Sequence, residues 1–151
     1  MRQEPVMKAL PYAVKAVIGR REMVTLPELG LGFCCKIDTG ARTSSLHAED
    51  IESFEEDGHV WVSFTTRAGG PSSPAHPFKL HLHDRRQVTS SNGQAEWRYV
   101  IRTPMRLGEL EFPVQLTLAN RANMRHPMLL GRRAMRGLLV APDATFLHGE
   151  P

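Results

Sequence analysis

The apolar stretches of this chain are short, and glycine, proline or an Asn-Gly pair closes nearly every one of them. Segments of that length, many of them alternating, suit strands of a half-buried sheet and leave little room for a helix long enough to bury a face. Residues 14–26 are rich in β-branched and apolar side chains and stop at Pro27 and Gly30, which reads as a first strand. Leu31 to Ile37 forms a second, ending at Asp38-Thr39-Gly40, and Thr43 to His47 a short third. Residues 50–58 hold five acidic side chains among nine and read as an exposed loop.

His59 to Thr66 alternates clearly, with Val60, Val62 and Phe64 on one side and Trp61, Ser63 and Thr65 on the other. Arg67 to Pro77, with three prolines and two glycines, is a loop, and Phe78 to His83 alternates again. Gln87 to Ser91 runs into Asn92-Gly93, a strong two-residue hairpin signal. Glu96 to Leu107 and Leu110 to Leu118 form a further hairpin around Gly108. Arg132 to Arg136 has room for one or two helical turns before Leu138 to Leu147 resumes a strand pattern. Eight or nine short strands with one short helix predict a closed or partly closed antiparallel barrel and no βαβ unit.

The 151 residues are enough for one core of moderate size and too few for two lobes. Hydrophobic residues at 41% and charged residues at 23% are ordinary for a globular chain. A formal charge of +3 is too small and too spread to predict a nucleic-acid binder. Residues 1–16 contain no apolar run suited to a signal peptide or a membrane span, so no membrane partner and a cytoplasmic location are expected. Cys34 and Cys35 are adjacent, cannot easily bridge each other, and have no third cysteine to pair with, so both are expected to be reduced.

An Asp followed by Thr and Gly at the end of an apolar strand has a chemical logic. The strand fixes the carboxylate, the Thr hydroxyl ties down backbone, and the glycine admits a close second chain. Alone, the tripeptide is an ordinary turn sequence. Here it is followed by Leu129-Leu130-Gly131-Arg132, two apolar residues and a glycine before the short helical segment.

Taken together, Lys36-Ile37-Asp38-Thr39-Gly40-Ala41-Arg42-Thr43-Ser44-Ser45-Leu46-His47, Ser91-Asn92-Gly93, Arg121 through Met124, and Pro127 through Arg132 form a recognisable set. By these motifs the chain resembles retropepsin-like aspartic proteases. It is most similar to the bacterial family named ATP-dependent zinc proteases, often associated with RimK-type ATP-grasp ligases. The resemblance spans residues 14–147 and implies an all-β, retropepsin-like acid-protease closed barrel with one short C-terminal helix. It divides the chain into an N-terminal extension, residues 1–13, and a peptidase domain, residues 14–151. It also implies that Leu129-Leu130-Gly131 packs behind the Asp38 loop and that a C-terminal strand within 138–147 helps to pair two subunits.

The resemblance makes Asp38, Thr39 and Gly40 the catalytic motif and Ala41, Arg42 and Arg132 substrate contacts. Retroviral enzymes usually carry an acidic residue where this chain has Arg42, able to pair with the arginine after the late glycine. Arg42 and Arg132 repel each other, so the support of the loop must differ. A single Asp38 per chain cannot act as base and acid in one step, which predicts a homodimer with one carboxylate from each subunit and no cofactor. The expected substrate is a peptide or protein, with glutamate-rich tails suggested by the association with glutamate-adding ligases.

Other motifs carry less. His81, His83 and Asp84 provide only two alternate histidines on one strand face, and a zinc hydrolase would need a third ligand from His47, His76 or His126. No Gly-x-x-x-x-Gly-Lys-Ser/Thr loop exists for ATP, and no Gly-x-Ser-x-Gly elbow surrounds Ser44 and Ser45, which read as strand or turn residues. Arg121, Arg125, Arg132, Arg133 and Arg136 form a basic concentration suited to a solvated surface or to acidic peptide. Two readings from other classes therefore stay open beside the peptidase: a silent peptide-binding module partnering an ATP-grasp ligase, and a zinc hydrolase. Both the 67–77 loop and the Asn92-Gly93 turn are placed to cover a cleft.

Overall fold

The computed structural model describes residues 8–89, 92–121 and 125–151. Residues 1–7, Ser90, Ser91, and Ala122 to Met124 lie outside the described residues. Strands β2 (Arg21–Leu26), β3 (Leu31–Ile37), β4 (Ser44–His47), β9 (Ala95–Leu107), β10 (Leu110–Ala119) and β11 (Met128–Leu130) carry the barrel. They run in the order β10, β4, β11, β3, β2, β9, and β9 closes the ring by pairing with β10. Closure leaves these strands without a free edge. The expected all-β closed barrel is present.

Strand β8 (Asp84–Thr89) extends β9 outward, while β5 (Glu49–Glu56), β6 (His59–Thr66) and β7 (His76–His81) form a separate three-stranded sheet. The two sheets share one core, in which Phe33, Phe64, Leu46, Ile101, Leu116 and Met128 are buried. Strands β1 (Ala16–Ile18) and β12 (Leu138–Val140) make a short parallel ribbon.

The apolar run located β3 and alternation located β6, and each buries one side: Phe33, Cys35 and Ile37 in β3, Val62 and Phe64 in β6. The residues 14–26 are two strands, separated at Gly19, whose Cα approaches Ala144 so closely that a Cβ would stand 2.4 Å from its carbonyl oxygen. The acidic segment is strand β5 and not a loop. Its charges face water, Ile51 and Phe54 turn partly inward, and Asp50 at φ 52 accompanies a register shift that breaks the alternation. β5 turns into β6 through Asp57-Gly58, both at positive φ, with Glu56 paired to His59, which is the two-residue I′ hairpin.

Asn92-Gly93 is not such a turn: Thr89 pairs with Ala95, so five residues separate β8 from β9. The expected C-terminal helix is a single 3-10 turn, Arg132–Ala134, and the strand predicted over 138–147 stops at Val140. β12 is satisfied within its own chain by β1, in register Val17 to Leu139. Beyond it the chain is held by irregular bonds such as that from Phe146 N to Arg21 O, 2.9 Å.

The anchor of this C-terminal tail is Glu22, a fully buried carboxylate on β2. It accepts hydrogen bonds from Gly19 N at 2.7 Å, Leu147 N at 3.1 Å and His148 N at 3.2 Å. Removing it orphans three donors, each worth about 1–3 kcal/mol when buried. Glu22→Ala is therefore expected to lose about 3 kcal/mol or more in urea denaturation, and Glu22→Gln less, because one acceptor oxygen survives. An alanine variant as stable as the parent would show that the tail is held by other contacts.

Candidate active site

Asp38 follows β3 directly and continues its pairing, donating its N–H to Leu130 O at 2.9 Å. The next residues fold back on the carboxylate: Asp38 Oδ1 accepts the Gly40 N–H at 2.9 Å, and Asp38 O accepts that of Ala41 at 3.2 Å. One carboxylate oxygen is thus fixed by backbone on a half-exposed side chain.

β11 clamps this loop from behind. It lies between β3, to which it is parallel, and β4, to which it is antiparallel, so both ends of the Asp38 loop are tied to one short strand. Gly131 follows it, with its N–H donated to the buried Ser44 Oγ at 3.0 Å. A Cβ on Gly131 would meet Thr43 O at 2.4 Å, so Leu129-Leu130-Gly131 sits against the loop at backbone contact, as expected.

The support that Arg42 puts in question comes from backbone. Arg132 Nη1 donates to Thr39 O at 3.0 Å, Arg132 N to Ala41 O at 2.8 Å and Arg133 N to Arg42 O at 3.2 Å. Among the described residues, no carboxylate pairs with Arg42 or Arg132. Thr39 is exposed, and it is its carbonyl, held by Arg132, that ties the loop, where the sequence suggested its hydroxyl.

The loop opens on a cleft of about 570 Å³. Gly40, Ala41 and Arg42 form one side and β8, from Arg86 to Thr89, the other. Arg98 and Arg121 also line it, so four guanidinium groups face this space with no acidic lining residue. Arg132 is not part of the wall; its role here is to hold the loop. The β8–β9 hairpin stands beside the cleft, whereas no residue of the 67–77 segment after β6 lines it.

The four arginines differ. Arg86 is paired with Asp84 at 2.7 Å and Arg98 with Glu96 at 2.6 Å. Arg121 makes no ion pair among the described residues; its Nη1 donates to Ser45 Oγ at 2.7 Å and its Nε is buried without a partner. Burial first, and then the charge of Arg98, pull its guanidinium below the ordinary value. A half-buried cation without an ion pair among the described residues, on the wall of an open cleft, favours anions there. Arg121 is positioned by its own N–H, which donates to His47 Nδ1 at 2.8 Å. That leaves His47 Nε2 to meet Glu49 Oε1 at 3.1 Å, with Arg67 Nε on the same carboxylate at 3.2 Å. The His47 bond, aided by Arg67, holds the Glu49 carboxyl below its usual range.

Of the residues the sequence singled out, Gly40, Ala41, Arg42 and Arg121 line the cleft, Asp38 and Thr39 precede that wall in the same loop, and Arg132 holds the loop without lining the cleft. Arg86 and Arg98 escaped notice, because both lie on alternating strands where an arginine looks like any solvated residue. Cys35 is buried in the core, which pushes its thiol far up, and Cys34 Sγ lies 3.8 Å from His126 Nδ1. Both cysteines are free. The zinc implied by the family's customary name finds no donor set: among the described residues no three His, Cys, Asp or Glu side chains converge. His81 stacks on Trp61 at 3.9 Å, and both nitrogens of His47 are committed.

Residues 17–150, which hold both the Asp-Thr-Gly loop and the Leu-Leu-Gly strand that clamps it, match the family described as RimB-like, the retropepsin-like aspartic endopeptidase RimB. The chain belongs to this RimB-like family. A crystal structure of a Legionella pneumophila protein of unknown function shares the fold, with a TM-score of 0.76 and 28% identity over 89% of this chain and 98% of that one. Among curated relatives, the Shewanella pealeana protein named "Probable alpha-L-glutamate ligase" is 42% identical over 142 residues. A protein of the same name from Desulfotalea psychrophila is 38% identical over 141 residues. These matches take in 90% and 86% of this chain but only 30% and 28% of the relatives, so the RimB-like domain spans less than a third of their length.

Proposed function

We propose that this RimB-like chain is an aspartic peptidase that works as a twofold homodimer on acidic peptides. The observation that carries the reading is Asp38 itself: a carboxylate with one oxygen fixed by Gly40 N, in the loop whose next residues, Gly40 to Arg42, form one side of a cleft walled by arginines. In the dimer the two Asp38 side chains meet across the axis. Two carboxylates about 3 Å apart cannot both ionise, so they share one proton and titrate as a pair.

The ionised member takes a proton from a water, which attacks the scissile carbonyl, while the protonated member donates to the carbonyl oxygen. The tetrahedral intermediate collapses with a proton passed to the leaving amine, and no acyl-enzyme forms. The pairing surface follows from the β1–β12 ribbon, where the register partners Val17 and Leu139 are both exposed apolar side chains, with Val14 and Leu147 exposed nearby. The test of the assembly is the separation of the two Asp38 carboxylates in the native dimer; a lone protomer in solution overturns it.

Acidic substrates follow from Arg42, Arg86, Arg98 and Arg121, and glutamate-rich tails from the relatives named glutamate ligases. Cleavage of a glutamate-rich peptide is expected to fall steeply as salt rises from 0.05 to about 0.5 M, because the Debye length shrinks from roughly 14 Å to about 4 Å. Arg121→Met is expected to raise KM for that peptide about tenfold or more while sparing a neutral one. Salt-independent turnover of neutral peptides overturns the substrate assignment.

One observation favours a second reading. In its curated relatives the matching segment is under a third of a protein named as a ligase, which suits a peptide-binding module that presents an acidic tail to an ATP-grasp partner. That module would bind the same peptides and would be indifferent to loss of the Asp38 charge.

A further inference from the structure

The faces of β2 and β3 that turn away from the core carry a second cationic site. A pocket of about 280 Å³ there is lined by Arg20, Arg21, Lys36, Arg125 and His126. None of the five forms an ion pair with a carboxylate among the described residues. Arg21 and Lys36 are direct partners in the antiparallel ladder, so two like charges stand opposite each other on one face. Such a pair works against the sheet unless an anion lies between its ends.

The Arg21 guanidinium is also steadied, lying 5.4 Å over the Phe146 ring. His126 is pulled below the ordinary imidazole range, by burial first and then by Arg21, Arg125 and Lys36, as expected where positive potential is left unneutralised. Lys36 stands two residues before Asp38, at the end of β3 that leads into the Asp38 loop. The arginine-walled cleft opens on the other side of Asp38 along the chain, at Gly40 to Arg42.

We propose that this pocket is a second carboxylate subsite, which takes an acidic side chain of a peptide whose backbone runs past Asp38. The inference rests on the acidic-peptide reading above and deepens it: with cationic sites before and after Asp38, the substrate must carry acidic residues at two separated positions. A run of acidic residues meets that requirement, and an isolated one does not.

The test uses the Asp38→Asn full chain, which binds without turnover, with fluorescein-labelled hexaglutamate and hexaglutamine read by anisotropy and inorganic phosphate as competitor. Lys36 and Arg125 are exposed, so the double variant Lys36→Gln, Arg125→Gln is expected to fold. It should weaken hexaglutamate binding at least about tenfold and leave hexaglutamine unchanged. In the parent, hexaglutamate should move the His126 imidazole titration upward by NMR, and the double variant should abolish that movement. Unchanged hexaglutamate affinity in the double variant overturns the proposal. So does a His126 shift produced by phosphate that hexaglutamate cannot displace, which would mark a free-phosphate site. Pocket-dependent binding together with no cleavage of any acidic peptide by the unmodified protein supports the subsite and sinks the peptidase reading alone.

Discussion

Asp38→Asn is expected to lower kcat/KM on an acidic peptide by on the order of 10⁴-fold, the scale of losing a positioned acid-base group. The amide keeps an oxygen to accept the Gly40 N–H at the Oδ1 position, so the loop should hold its shape and circular dichroism and dimer mass should not change. What disappears is the ionised member of the pair: two asparagines cannot take a proton from water. Mixing makes the test sharper. If each site needs Asp38 from both subunits, equal amounts of parent and variant allowed to exchange retain about one quarter of the dimers active; independent protomers retain about one half. Full turnover by the pure variant ends the aspartic mechanism, and the one-half result ends the shared site.

Gly131→Ala is expected to be severely damaging although it adds a single methyl group. Gly131 sits at φ −95 and ψ 174, an extended conformation open to any residue, so the backbone angles do not demand glycine. Space does. The new Cβ would lie 2.4 Å from Thr43 O, 2.6 Å from Thr43 C and 2.9 Å from Thr43 N, all backbone atoms that cannot swing aside. Overpacking of this kind costs about 1–3 kcal/mol and sometimes more, or roughly 5–10 °C in Tm at the upper end for a domain of this size.

The activity loss should exceed what the stability loss explains, because Thr43 moves with Arg42 and Ala41, and these define one side of the cleft. Should the variant fail to fold, Ser44→Ala separates the two effects. It leaves the Gly131 N–H buried without its acceptor, costing about 1–3 kcal/mol, and adds no bulk. An alanine at 131 with parental Tm and parental turnover would mean that β11 does not clamp the loop.

Several parts of this protein could be read in its residues one after another. β3 stands where its apolar run puts it and β6 where alternation does, since a strand with one wet side writes its burial into the local order of side chains. Asp57-Gly58 carried the I′ hairpin signal in plain view, yet the acidic residues around it, taken as a loop, hid the strand on its near side. Asp38-Thr39-Gly40 is legible because a carboxylate and its turn are short-range requirements, whereas Leu129-Leu130-Gly131 is legible only through the family resemblance, since Gly131 answers to the Thr43 backbone far away in the chain.

Tertiary structure decided the rest. Arg86 on β8, Arg98 on β9 and Arg121 after β10 meet at one cleft through pairings between residues far apart in the chain, and nothing in their neighbours marks them as a group. Glu22 looks like a surface residue in an alternating strand until the C-terminal tail folds over it and supplies two of its donors. The carboxylate, its turn and its glycine were thus determined by the sequence itself, where local geometry sets the requirement. Which charges surround that carboxylate depended on the closing of the barrel, because long-range strand pairing leaves no periodic trace in the order of residues.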